Sequence, residues 1–270
     1  LEELSGTDMG NVDLDFKPSV PVLDSNMSLG RRHDKPVNID SAEGARNEME
    51  LAGIGRALVY SPHAAIFDSG EGNRALIETI SNSDEFLPQF VCNPSFDDLS
   101  ELAAHVDSEG VRSVRMFPGL HNYPFRPWVI GPWLDWLAET GIPVWLPVDF
   151  ELIGPIPSTN PIDPRDIYDT LSQRPEIKAV LSGAKYNDAS WALPLVRSLP
   201  NLDFEISRFV PGGGITSVVD AIGPERVLFG SRFPDSAISP QLFSLHRNGL
   251  SEDALRAICA GNAERLMGIG

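Results

Sequence analysis

The chain has 270 residues, 42% of them hydrophobic, and its 38 acidic and 21 basic side chains give a formal net charge of -17. This length is compatible with one large domain or two small ones. The acidic charge and the absence of a Lys/Arg run argue against nucleic acid or an anionic membrane as a partner, because phosphate binding needs a basic surface. No segment approaches the roughly 18 consecutive apolar residues of a membrane span.

Two cysteines, Cys92 and Cys259, are too few for a disulfide framework, and neither lies in a ligand-spaced pair. The N-terminus lacks the basic and apolar regions of a signal peptide. We therefore expect a cytoplasmic protein. Residues 1–19 are polar, with Gly6, Gly10 and Pro18, and we predict that they form an N-terminal arm or tail ahead of one domain over residues 20–270.

Short apolar runs then alternate with longer helix-like stretches, the pattern of parallel strands joined by crossover helices. The predicted strands are residues 20–26, 56–61, 87–92, 113–117, 143–148, 179–181, 202–206 and 227–230. The predicted helices are residues 41–51, 73–80, 97–105, 132–140, 163–174, 191–198, 215–222 and 251–267. Eight such units predict an α/β fold, the closed (β/α)8 TIM barrel. An open doubly wound sheet is less favoured, because no GxGxxG turn follows the first strand.

In such a barrel, chemistry belongs to residues at the carboxyl ends of the strands and in the loops that follow. Polar residues at these positions define the candidate site: Asn26, Ser28, His63, Asn93, Arg115, His121, Asp149, Lys185, Arg208, Arg232 and Asp235. Gly212, Gly213 and Gly214 precede the seventh helix and could seat a phosphate on backbone N–H groups. A flexible loop is the simpler interpretation of this lone glycine run.

The C-terminal part of the chain carries a family resemblance. The segment RVLFGSRFP at residues 226–234, followed by ICAGNAERL at 258–266, resembles the "RxLFGSDxP" and "xxNAxRLxG" signature of the amidohydrolase-2 family. Residues 22–30, 141–146 and 177–183 are also similar to that family. The resemblance implies a TIM barrel of a family that contains metal-dependent hydrolases and nonoxidative decarboxylases.

The departures from the family pattern fall on its metal ligands. The resemblance places a His-x-His pair after the first strand, histidines after the fifth and sixth, and an Asp after the eighth. The matching positions here are Asn26 and Ser28, Pro147, Ser182 or Gly183, and Arg232. This set cannot replace imidazole and carboxylate ligands, so we expect neither the family's metal nor another cofactor. A shifted site is conceivable, but no two histidines share ligand spacing among His33, His63, His121 and His246.

Two functions remain open. The favoured one is a metal-independent hydrolase or decarboxylase of a small carboxylated substrate, with Arg232 in place of the metal charge and His63 or Asp149 as general acid or base. The predicted substrate-binding residues are Asn26, Arg115, His121, Lys185, Arg208 and Asp235. The alternative is a catalytically inactive homologue that serves as a binding or structural subunit, as a homo-oligomer or paired with an intact homologue.

Each candidate side chain also has a purely structural interpretation. Arg232 would face the mouth because strand residues alternate inward and outward, yet it could simply pair with Asp235 or Asp149. Arg115 needs an anion inside a barrel, and Glu205 could supply it. Hydrogen-bonded loop positions explain His63 and His121 as well as catalysis does, and Lys185 could be an exposed loop lysine.

Overall fold

The computed structural model describes residues 16–150, 160–209 and 214–270. Its strands are β1 (Leu23–Ser28), β2 (Arg56–Tyr60), β3 (Phe86–Pro88), β4 (Phe90–Cys92), β5 (Val114–Met116), β6 (Val144–Pro147), β7 (Ala179–Ser182), β8 (Leu202–Glu205) and β9 (Val227–Leu228). The predicted strand at 87–92 is thus two short strands separated by Gln89. Eight strand positions remain around the barrel, in the predicted chain order.

All neighbouring strands pair in parallel, in the orders β1-β2-β3 and β4-β5-β6-β7-β8-β9. Backbone hydrogen bonds join the two ends of this series. Ser25 N–H donates to Phe229 O over 3.0 Å, and Arg232 N–H donates to Asn26 O over 2.8 Å. The sheet therefore closes on itself, and the predicted (β/α)8 barrel is confirmed.

The helices are α1 (Ala42–Ala52), α2 (Pro62–Ile66), α3 (Ser69–Ile80), α4 (Leu99–Ser108), α5 (Pro127–Thr140), α6 (Pro164–Leu171), α7 (Ala189–Ser198), α8 (Gly214–Ile222), α9 (Ile238–His246), α10 (Glu252–Arg256) and α11 (Asn262–Met267). A π-helical turn over Ala257–Gly261 joins α10 to α11, so the predicted last helix is continuous. Helix α9 was not predicted, because no side chain caps its first turn. Helix α2 has five residues, too few to show helical periodicity.

The strand residues are buried because both faces of a parallel strand are covered by other parts of the protein. Inside the barrel an apolar layer contains Leu23, Leu58 and Trp145 and packs against Leu266 and Met267 of α11. These strand residues precede the strand ends in sequence, so the layer fills the amino-terminal half of the barrel. Polar side chains concentrate above it, at the carboxyl ends of the strands.

Residues 1–15 of the predicted arm lie outside the described residues, as do Gly212 and Gly213. Phe16 packs edge-on against Phe243 of α9, with ring centroids 5.3 Å apart. Lys17 donates to the carbonyl oxygens of Glu50 and Leu51. The division at residue 19 stays a prediction. Across the described parts of the chain, no helix is both long and apolar enough to cross a membrane.

Candidate active site at the barrel mouth

A cavity of about 40 Å³ opens at the carboxyl ends of the strands. Its described lining combines four guanidinium groups with two carboxylates, so positive charge predominates. The lining residues are Asn26, Arg32, Tyr60, Arg115, Phe117, Pro147, Asp149, Phe150, Ser182, Gly183, Arg208, Arg232 and Asp235. An anion is the ligand that such a surface favours.

Arg115 lies at the floor of this cavity, on β5, and is 2% exposed. Its Nε donates to Gln89 Oε1 over 2.6 Å, and its guanidinium lies 4.3 Å from the ring centroid of Tyr60. Its Nη2 is buried and has no hydrogen-bond partner among the described residues. Burial lowers the pKa of Arg115, opposed by Tyr60 and Glu205, but a guanidinium stays protonated at any physiological pH.

Glu205 is the buried carboxylate behind the cavity, at the end of β8. It accepts hydrogen bonds from Asn26 Nδ2 over 2.9 Å, from Ser207 Oγ over 3.0 Å and from Gly183 N–H over 3.3 Å. Burial nevertheless raises the pKa of Glu205 to about 7. Near neutral pH the carboxyl group is therefore partly protonated and neutralises Arg115 incompletely.

Ion pairs surround the two carboxylates of the lining. Asp149 contacts Lys185 Nζ over 3.1 Å and is also hydrogen-bonded by Arg208. Asp149 is therefore paired, though with neither Arg115 nor Arg232. Its role as a general base is not tested by these contacts.

Asp235 contacts three cations: Arg32 over 2.6 Å, Lys35 over 2.7 Å and Arg232 over 3.6 Å. The pair between Arg232 and Asp235 is the structural interpretation considered from the sequence. Arg232 also lines the cavity, so its two interpretations coexist.

Arg232 reaches the mouth by a different backbone path from the one expected. Strand β9 ends at Leu228, and Arg232 has φ +63°, in the left-handed region. Its orientation thus comes from a turn instead of strand alternation. A left-handed conformation costs a residue with a side chain roughly 1–2 kcal/mol, and such positions cluster at functional sites.

Two predicted site histidines do not line the mouth cavity. The His63 ring contacts His33, with Nδ1 of His63 2.9 Å from Nε2 of His33. The His121 Nε2 is 2.8 Å from Ala65 O, and burial lowers the pKa of His121. Catalytic use of either residue stays a prediction. Both rings make hydrogen-bonding contacts, His63 from the first turn of α2 and His121 from a loop.

Most of the other predicted residues come together at the mouth, whereas Ser28 and Asn93 do not line the cavity. Six of the predicted residues line the cavity, and Lys185 reaches it through Asp149: Asn26, Arg115, Asp149, Arg208, Arg232 and Asp235. Sequence reasoning missed Arg32 and Tyr60 and placed Glu205 only as a partner of Arg115. The available signal for Arg32 was the dense run of charge at Arg31-Arg32-His33-Asp34-Lys35 after the first strand.

The residues that the sequence resemblance matches to the family's metal positions are poor ligands for a divalent cation. Asn26 donates its amide N–H groups to Glu205 and Ser207, which points donors into the position. Arg232 adds a permanent positive charge, and the side chain of Pro147 has no atom that can bind a metal ion. Within the described ranges, no group of three or more His, Cys, Asp or Glu side chains is arranged to hold a metal ion.

A closed (β/α)8 barrel with its polar side chains at the carboxyl ends of the strands defines the class of this protein. Comparison with solved structures agrees. An uncharacterized TIM-barrel protein from Bordetella bronchiseptica is 18% identical, with a TM-score of 0.72, and the match covers 92% of this chain and 99% of that one.

Two decarboxylases are similar at 13% identity. For 5-carboxyvanillate decarboxylase from Sphingomonas paucimobilis, the TM-score is 0.71 and coverage is 93% of this chain and 100% of that one. For 2,6-dihydroxybenzoate decarboxylase from Rhizobium, the TM-score is 0.72 and coverage is 92% and 99%. The model of the Amidohydrolase family matches residues 23–269. The chain therefore belongs to the Amidohydrolase family. No curated protein matches it.

Proposed function

We propose that this barrel binds the carboxylate group of a small substrate at its mouth and catalyses hydrolysis or decarboxylation of that substrate without a divalent metal ion. The observation that carries the proposal is the buried guanidinium of Arg115, whose Nη2 has no hydrogen-bond partner in the described structure. A buried cation needs an anion. Glu205 is a weak candidate because its pKa of about 7 leaves it partly neutral.

The surroundings of Arg115 suit a carboxylate. Ser182 lines the same cavity, and its buried Oγ also has no partner among the described residues. A guanidinium N–H and a hydroxyl can each donate to one oxygen of a carboxylate. The cavity of about 40 Å³ has room for a few water-sized groups, which is the size of a carboxylate and its attached carbon. The rest of the substrate would extend towards Arg208 and Arg232.

The chemistry would come from fixed positive charge. Decarboxylation leaves negative charge on the carbon that loses CO2, and hydrolysis places it on an oxygen of the tetrahedral intermediate. Arg208 and Arg232 line the cavity and would stabilise either charge. Asp149, held by Lys185 and Arg208, is the proposed general base that takes a proton from water in the hydrolytic reaction. The decarboxylase structures that resemble this fold support a carboxylated substrate.

A second function is favoured by one observation. Both carboxylates of the lining are already paired with two or three cations, and the cavity is small. This arrangement suits a subunit that binds a small anion without catalysis. The two proposals share the Arg115 site and differ only in turnover.

The test uses protein treated with a chelator and dialysed. Acetate and benzoate are titrated by calorimetry, and a panel of small aliphatic and aromatic carboxylates is followed for product by 13C NMR. We expect Arg115→Met to weaken carboxylate binding at least about tenfold, because it removes a charge-assisted hydrogen bond. Arg256→Met, which changes an exposed guanidinium on α10, is the control and should bind as the wild type does.

Three outcomes separate the proposals. Turnover in the metal-free wild type supports the enzyme. Binding that depends on Arg115 without turnover of any substrate supports the anion-binding subunit and contradicts the enzyme. Equal binding by wild type and Arg115→Met, or no binding by either, contradicts both. Thermal unfolding checks that Arg115→Met is folded at the titration temperature. We expect its unfolding temperature to be lower than that of the wild type, because removing one charge from a buried group of charges is destabilising.

A further inference from the structure

We propose that His33 and His63 form a binding site for one divalent transition-metal ion, Cu²⁺, Ni²⁺ or Zn²⁺, at the rim of the barrel. The site lies in the loop after β1 and at the start of α2. It is separate from the mouth cavity and from the positions that match the family's metal ligands. No ligand spacing in the sequence joins the two histidines, which are 30 residues apart.

The first argument is the distance between the two ring nitrogens. Nε2 of His33 and Nδ1 of His63 are 2.9 Å apart. Two imidazoles that bind one metal at about 2.0–2.1 Å place their nitrogens about 2.9 Å apart at a right angle and about 3.4 Å apart at a tetrahedral angle. The present separation fits the tetragonal geometry that Cu²⁺ and Ni²⁺ favour. Zinc would need the rings to separate by about half an ångström.

The second argument is the direction of the lone pairs. A hydrogen bond between two imidazoles needs one ring nitrogen to carry a proton and the other to accept it. The two nitrogens therefore face each other. A metal ion bound by both lone pairs would replace the shared proton and lie to the side of the line between the nitrogens, so each ring would tilt by about 45° to bind it.

The third argument is the support around the rings. Phe67 stacks on His63 with an interplanar angle of 18° and packs on His33 with ring centroids 4.3 Å apart. The other nitrogen of His63, Nε2, is buried, and Glu71 Oε2 lies 3.5 Å from it. A carboxylate beside the free nitrogen of a ligating histidine fixes the tautomer and raises the basicity of the ligand. Glu71 is placed for this role.

The surroundings leave room for the remaining ligands. His33 is exposed, and a cavity of about 260 Å³ is lined by His33, His63, Glu71 and Arg31 among others. Water can complete the coordination sphere from that side. Among the described residues that line this cavity, the carboxylate of Glu71 and the guanidinium of Arg31 carry opposite charges.

The experiment titrates CuCl2 into the full chain after chelator treatment, by calorimetry in a non-coordinating buffer. We expect one equivalent of copper to bind, with affinity reduced at least about tenfold in His33→Ala and in His63→Asn. Glu71→Gln should lose about tenfold, the lower end of the range for such supporting residues. His105→Ala and His246→Ala change histidines elsewhere and serve as controls that bind as the wild type does.

Electron paramagnetic resonance of the copper complex gives an independent readout. Hyperfine splitting from two imidazole nitrogens is expected in the wild type, and from one in either single variant. Because His33 is exposed, His33→Ala should keep the thermal unfolding temperature of the wild type. Failure to bind copper, or binding unchanged by both histidine substitutions, would show that the two rings form a hydrogen-bonded pair only.

Discussion

Glu205 is a buried carboxyl group whose environment raises its pKa. Four donors surround it, from Asn26, Gly183 and the backbone and side chain of Ser207. These hydrogen bonds favour the ionised form, yet burial outweighs them and raises its pKa to about 7. The protonation of one side chain thus sets the charge next to Arg115.

This shift predicts a pH dependence of stability. An exposed glutamate has a pKa of 4.5, so between pH 4.5 and 7 the folded state holds a proton that the unfolded chain has released. The contribution of Glu205 is fully present below pH 4.5 and is lost as the pH rises to 7. Its size is on the order of 3 kcal/mol. Urea unfolding from pH 5 to pH 8 should show this decline in the wild type relative to Glu205→Gln.

Burial raises the pKa of Asp24 as well. Asp24 is present in both the wild type and Glu205→Gln, and its charge contributes to the raised pKa of Glu205. Parallel pH profiles for wild type and Glu205→Gln would show that Glu205 titrates at its ordinary value. Acetate binding offers a second readout. It should weaken in the wild type as the pH rises through 7, because an ionised Glu205 competes for Arg115, and stay level in the variant.

At the scale of the element, alternation of apolar and polar stretches was enough to place eight strands and the residues at their ends. Asn26, Arg115 and Arg232 were found in this way, because parallel strands bring their carboxyl ends together. The loops were not predictable, since Arg32 and His33 reach the rim through ion pairs and ring contacts between distant segments. The break at Gln89 was missed, although Pro88, which has no N–H for the strand ladder, and the polar Gln89 interrupt the apolar run.

The last helix shows how one side chain joins two elements. Asn262 is 4% exposed, and its Nδ2 donates to Pro224 O over 2.8 Å and to Val227 O over 2.7 Å. The family-like Asn-Ala pair at residues 262–263 therefore has a structural role. It attaches α11 to the start of β9.

We predict that Asn262→Ala lowers the free energy of unfolding by about 1–3 kcal/mol, because the carbonyl of the buried residue Val227 and the half-buried carbonyl of Pro224 each lose a donor. Pro224 O keeps its bond from Val227 N–H. Denaturant unfolding measures the change. Asn82→Ala is the matched control, because the Asn82 amide is exposed and contacts only Ser81, and it should stay within about 0.5 kcal/mol of the wild type. A loss below about 1 kcal/mol for Asn262→Ala would mean that water replaces the amide.

The whole molecule separates its charge. The chain has a formal net charge of -17, whereas the described lining of the mouth has more guanidinium groups than carboxylates. The carboxylates of the outer surface therefore repel one another, while the guanidinium groups of the mouth attract anions. Neither the total charge nor the residue counts reveal this contrast, which depends on the barrel bringing distant strand ends together.

Salt should stabilise the fold through the acidic outer surface and weaken anion binding at the arginine-rich mouth. Raising sodium chloride from about 0.05 M to 0.5 M screens repulsion between surface carboxylates, so we expect the thermal unfolding temperature to rise. The same increase should weaken acetate binding, because screening reduces the attraction of the arginines and chloride competes for them. Differential scanning calorimetry and isothermal titration measure the two effects. Acetate affinity that is independent of salt would contradict an arginine-rich site.

Hydrogen bonds from Ser25 N–H to Phe229 O and from Arg232 N–H to Asn26 O close the barrel, and this closure has a consequence for synthesis on the ribosome. The mouth takes residues from both ends of the chain, so it cannot be assembled until residue 235 has left the exit tunnel. Nascent fragments that lack β9 leave the edges of β1 and β8 unpaired. The mouth cavity is thus complete only after the final strand has paired with the first.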